Sequence, residues 1–390
     1  MPWKECSIMD ERMRFVIRHK DGESMASLCR EFGISRKTGY KIVERYKQDG
    51  LSGLSDRTRR PYRSARKIAE PIEAAIVALK KSKPHWGARK IKERLHRTLP
   101  SEVAVPASST IHAVLDRHGL VEKVTRSRVR AKGTALSEGL NANDLWCTDF
   151  KGQFRLGNHH YCYPLTVTDH ASRYVLACEA FESTKESPVF MAFEALFKER
   201  GLPLAIRSDN GVPFASPSAL FNLSKLAVWW IRLGIGIERI KPGCPQQNGR
   251  HERMHLTLKK ETTRPAAPNM LQQQEKFDSF VDEFNNERPH ESLEMKCPGE
   301  VYTFSPRPYQ GLLEPDYSFH DQIKFVGTGG HLYFKKTRIR VTEALAGQPV
   351  GIKEVDDGVW LVSFMQYDLG YVDLEKKSLQ PLDNPFGAKV

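Results

Sequence analysis

The stretch Lys241-Pro-Gly-Cys-Pro-Gln-Gln-Asn-Gly-Arg-His-Glu252-Arg decides the fold of the largest part of the chain. Its prolines and glycine predict a loop, and its last residues begin a helix that carries Glu252 on its first turns. Two upstream stretches supply further acids. The apolar strand Leu145-Trp-Cys-Thr-Asp149-Phe contains one, and the apolar strand Leu204-Ala-Ile-Arg-Ser-Asp209 ends in one. Such acids are costly unless they are paired, and a divalent metal ion is the usual partner.

The composition predicts a multidomain protein with a polyanionic partner. The chain has 390 residues and a formal net charge of +13, which favours nucleic acid over an acidic membrane. No apolar run approaches the ~20 residues of a membrane span, and the first residues lack a signal-peptide core. The seven cysteines include no CxxC pair, which argues against a disulfide framework or a zinc ribbon. We therefore expect a protein of the reducing cytoplasm.

Residues 1–56 are predicted to form a helix-turn-helix DNA-binding domain. Ser24 is placed to cap one helix, Gly33 to make the turn, and Ser35 to cap the next helix. The polar side chains that this second helix would direct to a major groove are Arg36, Lys37, Thr38 and Lys41. The alternative is a helical hairpin with a solvated basic face.

Residues 57–67 form a basic linker, whose arginines are expected to follow phosphates or enter a minor groove, unless the segment is a solvated spacer. Residues 68–122 repeat the helix-turn-helix pattern, with Ser108 and Ser109 as candidate caps of the third helix. Residues 123–143 form a second basic connector. The DNA-contact candidates of these segments are Arg57, Arg59, Arg60, Arg89, Lys90, Ser109, Thr110, His112, Arg126, Arg128 and Arg130.

From Asp144 the pattern changes from helices to strands. Three strands, Leu145–Phe154, His159–Thr168 and Ser172–Phe181, are followed by alternating helices and strands, including a helix over Ala219–Leu233. This order predicts an α/β ribonuclease H-like core over residues 144–302, with a mixed five-stranded sheet. Beyond it, residues 303–317 form a Pro-rich linker, and the short strands and turns of residues 318–382 predict a small β-barrel.

The three acids suit the chemistry of a DNA phosphodiester. Attack by water or a 3′-hydroxyl needs an activated nucleophile and a stabilised leaving oxygen, and two Mg²⁺ ions about 3.5–4 Å apart serve both needs. Because Mg²⁺ prefers oxygen ligands, Asp and Glu are the expected residue types. The predicted topology puts Asp149 within the first strand, Asp209 at the end of its neighbour, and Glu252 on a helix beside them. The competing acids are Asp144, Asp169 and Glu261, of which Asp169 is expected to organise a turn through Ser172 and Arg173.

These motifs are similar to the DDE signature of insertion-sequence transposases with a retroviral-integrase core. The matching segments are Thr148-Asp-Phe150, Thr168-Asp-His-Ala-Ser-Arg-Tyr174, Ser208-Asp-Asn-Gly211, Pro245-Gln-Gln-Asn-Gly-Arg-His-Glu-Arg253 and Phe284-Asn-Asn-Glu-Arg-Pro-His-Glu-Ser-Leu293. With the tandem helix-turn-helix units and the terminal barrel, the chain most resembles insertion-sequence family four-eighty-one.

The resemblance implies a catalytic triad of Asp149, Asp209 and Glu252 that binds two Mg²⁺ or Mn²⁺ ions. It implies cleavage at the element's terminal inverted repeats and strand transfer into target DNA. Asn248 matches the loop before the catalytic helix. Lys259 shares a helix face with Glu252 and His255, so we expect it to contact a phosphate near the metals. The implied partners are double-stranded DNA and at least one further copy of the chain, in the nucleoid of a prokaryotic cytoplasm.

Two alternatives remain open. One is a catalytically idle, sequence-specific DNA-binding regulator derived from a transposase, and the presence of all three acids favours the enzyme over it. The other is a ribonuclease H-like nuclease for RNA/DNA hybrids, which would not need the N-terminal DNA-binding units.

Overall fold

The computed structural model describes residues 8–56, 68–121 and 136–387. The chain divides into two compact units, Met1–Ala69 and Glu70–Val390. The basic linker and most of the basic connector lie outside the described residues. The same holds for six DNA-contact candidates: Arg57, Arg59, Arg60, Arg126, Arg128 and Arg130. Within the described ranges, no helix is both long enough and apolar enough to cross a membrane.

The first unit is a helix-turn-helix domain, as the sequence predicts. Its described residues form three α-helices: α1 (Ile8–Lys20), α2 (Met25–Glu31) and α3 (Arg36–Asp49). The Ser24 side chain accepts a hydrogen bond from the Ser27 amide and caps α2, while Ser35 accepts one from the Thr38 amide and caps α3. Gly33 makes the turn with a φ of 63°, a left-handed conformation that glycine adopts without steric cost.

The second unit opens with three more helices, α4 (Glu70–Ser82), α5 (Ala88–Thr98) and α6 (Ser108–Arg117). They bury Ile76, Ile91 and Ile111. The prediction that Ser108 or Ser109 caps α6 is wrong. Ala107 occupies the cap position and makes no side-chain cap hydrogen bond, so both serines fall inside the helix.

The core is a mixed sheet of six strands. The strands are β1 (Leu145–Phe150), β2 (Phe154–Arg155), β3 (Tyr161–Asp169), β4 (Val175–Phe181), β5 (Ala205–Ser208) and β6 (Gly236–Arg239). Strand β3 pairs antiparallel with β1, β2 and β4, whereas β1, β5 and β6 run parallel in that order. The mixed sheet is therefore confirmed, but the predicted first strand is divided into β1 and the two-residue β2, which gives six strands in place of five.

Helices cover both faces of this sheet. Helices α7 (Glu186–Arg200) and α8 (Lys225–Arg232) share one buried cluster with β1, β3 and β5, which includes Trp146, Phe197 and Trp230. Helices α9 (Gly249–Thr262) and α10 (Met270–Asp282) share another with β3 and β4. Because neighbouring strand residues face opposite sides, Asp149 and Thr166 lie on the α9 side.

The predicted helix over residues 219–233 is shorter in the structure. A 3₁₀ turn covers Leu220–Asn222, and α8 begins only at Lys225. Ser224 caps α8 by accepting a hydrogen bond from the Ala227 amide, and Phe221 has a positive φ of 53°. The cap and the left-handed residue separate the two segments.

The C-terminal region forms two antiparallel sheets. Five strands pair in the order β13-β12-β11-β10-β7, and β8 pairs with β9. The strands are β7 (Gln322–Phe325), β8 (His331–Phe334), β9 (Thr337–Arg340), β10 (Pro349–Asp356), β11 (Val359–Phe364), β12 (Tyr367–Asp373) and β13 (Ser378–Pro381). Among the described residues these pairings do not close into the predicted β-barrel, and β13 was not predicted. One apolar cluster joins the region to α8.

Candidate active site

Three acids meet where β1, β5 and α9 come together. Strands β1 and β5 run parallel with Cys147 opposite Arg207, so Asp149 and Asp209 lie two residues further on along neighbouring strands. Glu252 lies on the first turn of α9. Ligand atoms of Asp149, Glu252 and His255 all lie within 4.8 Å of one another. The structure thus brings together two strands and a helix that are far apart in the sequence.

Burial and mutual repulsion make Asp149 hard to ionise. Its side chain is 18% exposed. Burial first, and then the negative charges of Asp209 and Glu252, raise the pKa of Asp149 to about 7. Burial also raises the pKa of Asp209, although its carboxylate accepts a hydrogen bond from the Gly211 amide at 3.1 Å. A bound cation would offset this repulsion, and clustered carboxylate oxygens are the donors that Mg²⁺ and Mn²⁺ prefer. The residues therefore fit a divalent metal ion.

A hydrogen-bonded group lies directly beneath the acids. Thr166 Oγ1 lies 3.1 Å from the backbone carbonyl of Asp149, 2.8 Å from His251 Nε2 and 2.6 Å from His255 Nε2. His251 Nδ1 lies 2.7 Å from Thr168 Oγ1. The helical period predicts His255 on the face of Glu252, but no role was predicted for either histidine. The sequence pattern that could have indicated this group is a pair of histidines four residues apart on one helix, together with two threonines two residues apart on one strand. Each pair places both of its side chains on one face of its element.

The loop before α9 is held by buried polar contacts. Arg207 donates to Glu238 at 2.9 Å, to the Gln247 carbonyl at 3.3 Å and to the Ser137 carbonyl. Gln247 Oε1 accepts a hydrogen bond from the Lys241 amide. Asn248 is only 4% exposed, and its Oδ1 has no hydrogen-bond partner among the described residues. In this conformation Asn248 is therefore not presented to DNA, whereas Lys259 is exposed.

The competing acids have structural partners. Asp169 is buried and accepts hydrogen bonds from the amides of Asn143 and Ser172 and from the Ser172 hydroxyl. The Arg173 amide donates to the Asp169 carbonyl. This confirms that Asp169 organises the turn. Glu261 pairs with Arg288 at 2.7 Å, and Asp144 accepts from the amides of residues 140 and 141.

The DNA-contact candidates of the helical domains differ in accessibility. Seven are exposed at the surface of their own unit: Arg36, Lys37, Thr38, Lys41, Arg89, Ser109 and His112. Thr110 is half-buried, and Arg89 lies 3.1 Å from Glu291 of the core. Burial and the charge of Arg288 lower the pKa of Lys90 to about 8. Lys90 is therefore half-buried beside the core, whereas Arg89 is 70% exposed and stays a candidate for DNA contact.

Further ion pairs connect the α4–α5 turn and α5 with the core. Lys83 Nζ lies 2.5 Å from Glu283 Oε2, and Arg94 lies 3.3 Å from Glu287. Arg97 lies 2.8 Å from Glu300 and also donates to the Met295 carbonyl. The basic side of this segment is thus neutralised by acids that lie about 200 residues away in the sequence.

Comparison with known protein families matches both the helical part of the chain and its core. A helix-turn-helix domain matches residues 11–62, and a homeodomain-like domain matches residues 38–115. Integrase core domains match residues 140–245 and 233–298.

The chain is similar to insertion-element and retroviral proteins. A 39.2 kDa protein of insertion element IS476 from Xanthomonas euvesicatoria is 24% identical over 274 residues, which cover 70% of this chain and 76% of that protein. The Gag-Pol polyprotein of baboon endogenous virus is 25% identical over 236 residues, which cover 58% of this chain. The chain spans only 13% of that polyprotein.

Among solved structures, a cryo-electron microscopy structure of a simian T-cell lymphotropic virus intasome in complex with the PP2A regulatory subunit B56 gamma is similar. Its matching chain has 15% sequence identity and a TM-score of 0.37, with 75% of this chain and 97% of that chain covered. The family matches support helix-turn-helix domains and an integrase core domain, and the chain is similar to insertion-element proteins.

Proposed function

We propose that the chain is a DNA transposase that binds the terminal inverted repeats of its element, cleaves DNA strands there and transfers them to target DNA. The observation that supports this proposal is the close approach of Asp149 and Glu252 beside the end of β5, which Asp209 directly follows. The helix-turn-helix domains that precede the core supply a means of recognising DNA. Membership of insertion-sequence family four-eighty-one is part of the proposal and rests on the sequence motifs.

Asp149, Asp209 and Glu252 would hold two Mg²⁺ or Mn²⁺ ions, as the DDE signature implies. When bound, such ions activate the attacking hydroxyl or water and stabilise the leaving oxygen. The chain contributes rigid placement, because Asp149 lies within β1 and Asp209 directly follows β5, its parallel neighbour. With a pKa of about 7, Asp149 keeps a proton at mildly acidic pH and gives it up as a cation binds.

DNA recognition is assigned to exposed polar side chains on two helices. Arg36, Lys37, Thr38 and Lys41 of α3 would read a major groove, and Ser109, Thr110 and His112 of α6 would contact a second segment. Lys259 would pair with a phosphate beside the acids, and Asn248 would contact DNA only after the loop before α9 has moved. Bringing two element ends together requires at least a dimer, acting in the nucleoid of a prokaryotic cytoplasm.

The test is a cleavage and strand-transfer assay on labelled duplexes that carry the DNA flanking the coding sequence. Wild-type protein is compared with Asp149→Asn, and Glu275→Gln, an exposed acid of α10, serves as the matched control. We expect Mn²⁺- or Mg²⁺-dependent nicking by the wild type and the control. Asp149→Asn should lose at least ~10³-fold in rate while its DNA affinity is unchanged or improved.

The regulator hypothesis predicts a different result. Sequence-specific binding without nicking, with either metal and with all three proteins, would favour an idle DNA-binding protein over the transposase.

A further inference from the structure

His255 is a buried side chain that the proposed function does not use. It is 1% exposed, and its Nδ1 has no hydrogen-bond partner among the described residues. This nitrogen lies 3.8 Å from Asp149 Oδ2. An imidazole nitrogen that is deeply buried and unpaired normally costs free energy, so its position calls for an explanation.

The hydrogen bonds of Thr166 determine where the histidine protons lie. Its single hydroxyl proton can serve only one of the three contacts that Oγ1 makes. The backbone carbonyl of Asp149 cannot donate, so that contact is a hydrogen bond only if Thr166 donates to it. His251 Nε2 and His255 Nε2 must then both donate to Thr166 Oγ1. This is the one assignment in which all three contacts are hydrogen bonds.

The same assignment fixes the other ring nitrogens. His251 Nδ1 carries a lone pair and accepts from the Thr168 hydroxyl at 2.7 Å. A neutral imidazole whose Nε2 carries the proton holds a lone pair on Nδ1. Nδ1 of His255 therefore presents a lone pair towards the Asp149 carboxylate. Two electron-rich groups that face each other in a buried site are stable only when a cation or a proton lies between them.

We propose that His255 Nδ1 is a ligand of the divalent ion that Asp149 and Glu252 bind, so that one metal position has oxygen and nitrogen donors. The candidate ligand atoms of these three residues already lie within 4.8 Å of one another. The opposite nitrogen of His255 donates to a hydroxyl oxygen, as metal-binding histidines commonly do, and this contact fixes both tautomer and ring orientation. The inference rests on the proposed function only in placing a metal ion at these acids.

A nitrogen ligand has a consequence for metal preference. Imidazole suits transition metals, whereas Mg²⁺ and Ca²⁺ favour sites made only of oxygen. The metal position beside His255 should therefore bind Mn²⁺ and Co²⁺ more tightly than Mg²⁺. Removal of the His255 imidazole should weaken Mn²⁺ binding more than Mg²⁺ binding.

The test uses the full chain without DNA. Mn²⁺ is added in substoichiometric amount, and pulsed electron paramagnetic resonance measures nitrogen coupling to the ion. Wild-type protein should show ¹⁴N coupling, and protein labelled with ¹⁵N-histidine should show ¹⁵N coupling in its place. This comparison needs no substitution, so it does not depend on whether a variant folds.

Substitution then identifies which histidine binds. His255→Gln should lose the nitrogen coupling and raise the Kd for Mn²⁺ by at least ~10-fold. His96 is an exposed histidine of α5, and His96→Gln should keep the nitrogen coupling and the wild-type Kd. Nicking of element-end DNA is measured on the same samples. Specific Mn²⁺ binding and nicking without nitrogen coupling would overturn the role of His255 and leave the transposase proposal intact. No specific Mn²⁺ binding and no nicking would overturn both.

Discussion

At the scale of single residues, the site combines side chains whose burial costs free energy unless a cation is bound between them. Asp149 is largely buried and is repelled by two other acids. His255 directs at it a ring nitrogen that has no hydrogen-bond partner among the described residues. Each group alone has an ordinary structural interpretation, as a half-buried acid and as a core histidine. Their juxtaposition is what indicates a metal site, because both strains are relieved by the same ion.

The raised pKa of Asp149 predicts a pH dependence of stability. The folded-state pKa of about 7 lies above the ordinary value of 3.8, so the folded protein holds a proton that the unfolded chain has released. Stability therefore falls as pH rises from about 4 to about 7, by at most roughly 4 kcal/mol. In a chelator, Asp149→Asn should gain melting temperature relative to the wild type as pH increases from 5 to 8.

The comparison with the variant is essential because buried histidines act in the opposite direction. Burial lowers the pKa values of His170, His251 and His290, so their contributions strengthen as pH rises through that range. Adding Mn²⁺ at pH 8 should raise the melting temperature of the wild type and not of Asp149→Asn. A difference in melting temperature that does not vary with pH would contradict the assigned pKa.

At the scale of elements, Arg207 connects β5 to the loop that precedes α9. It is 3% exposed and contacts Glu238, Gln247 and Ser137. We predict that Arg207→Met leaves Glu238 without its buried partner and destabilises the protein by about 3 kcal/mol. The double variant Arg207→Met/Glu238→Gln should recover part of this stability, because no uncompensated carboxylate remains.

The loop contact gives the same variants a functional readout. Because Gln247 adjoins the loop that leads to Glu252, the double variant should still nick DNA more slowly than the wild type at a temperature where both are folded. Thermal unfolding and nicking rates measured together check this. Full recovery of the nicking rate along with stability would show that Arg207 acts only on folding.

The contact between the α4–α5 turn and the core predicts a measurable coupling. A double-mutant cycle of Lys83→Met and Glu283→Met should give about 1 kcal/mol, since both side chains are 23% exposed and their charged atoms lie 2.5 Å apart. The coupling should shrink as salt is added. The exposed pair Lys198–Glu194 on α7 is the control and should show no measurable coupling. Equal values for the two pairs would argue against packing of the α4–α5 turn on the core.

The elements also show what sequence alone can predict. Helices α2 and α3 begin where Ser24 and Ser35 predict, because caps and turns are local. The sheet order and the meeting of the acids follow from strand order. Lys90 was predicted to contact DNA but is half-buried near Arg288 and Glu261, because the sequence alone does not show which basic side chains pack against the core. The role of His255 was missed because its partners, Asp149 and Thr166, are about 90 to 105 residues away in the sequence.

At the scale of the whole molecule, the net charge and the division into two units determine how substitutions should affect DNA binding. The chain carries a net charge of +13, so non-specific attraction to phosphates is expected from many positions. Arg36 and Lys41 belong to the first compact unit, whereas the three acids belong to the second. Changes in the first unit should therefore alter DNA selection without altering metal binding.

The double variant Arg36→Ala/Lys41→Ala tests this separation. If these residues contact base edges, specific affinity should fall at least ~10-fold, while affinity for unrelated DNA changes little. If they pair with phosphates, affinity should fall for all sequences, and the slope of log K against log salt should decrease by about 0.9 for each phosphate that is no longer neutralised. Lys353→Ala/Lys377→Ala, which removes the same charge at two exposed positions, is the control. Unchanged specific binding, with Mn²⁺ binding also unchanged, would remove α3 from the recognition surface, and α6 would then be the next helix to test.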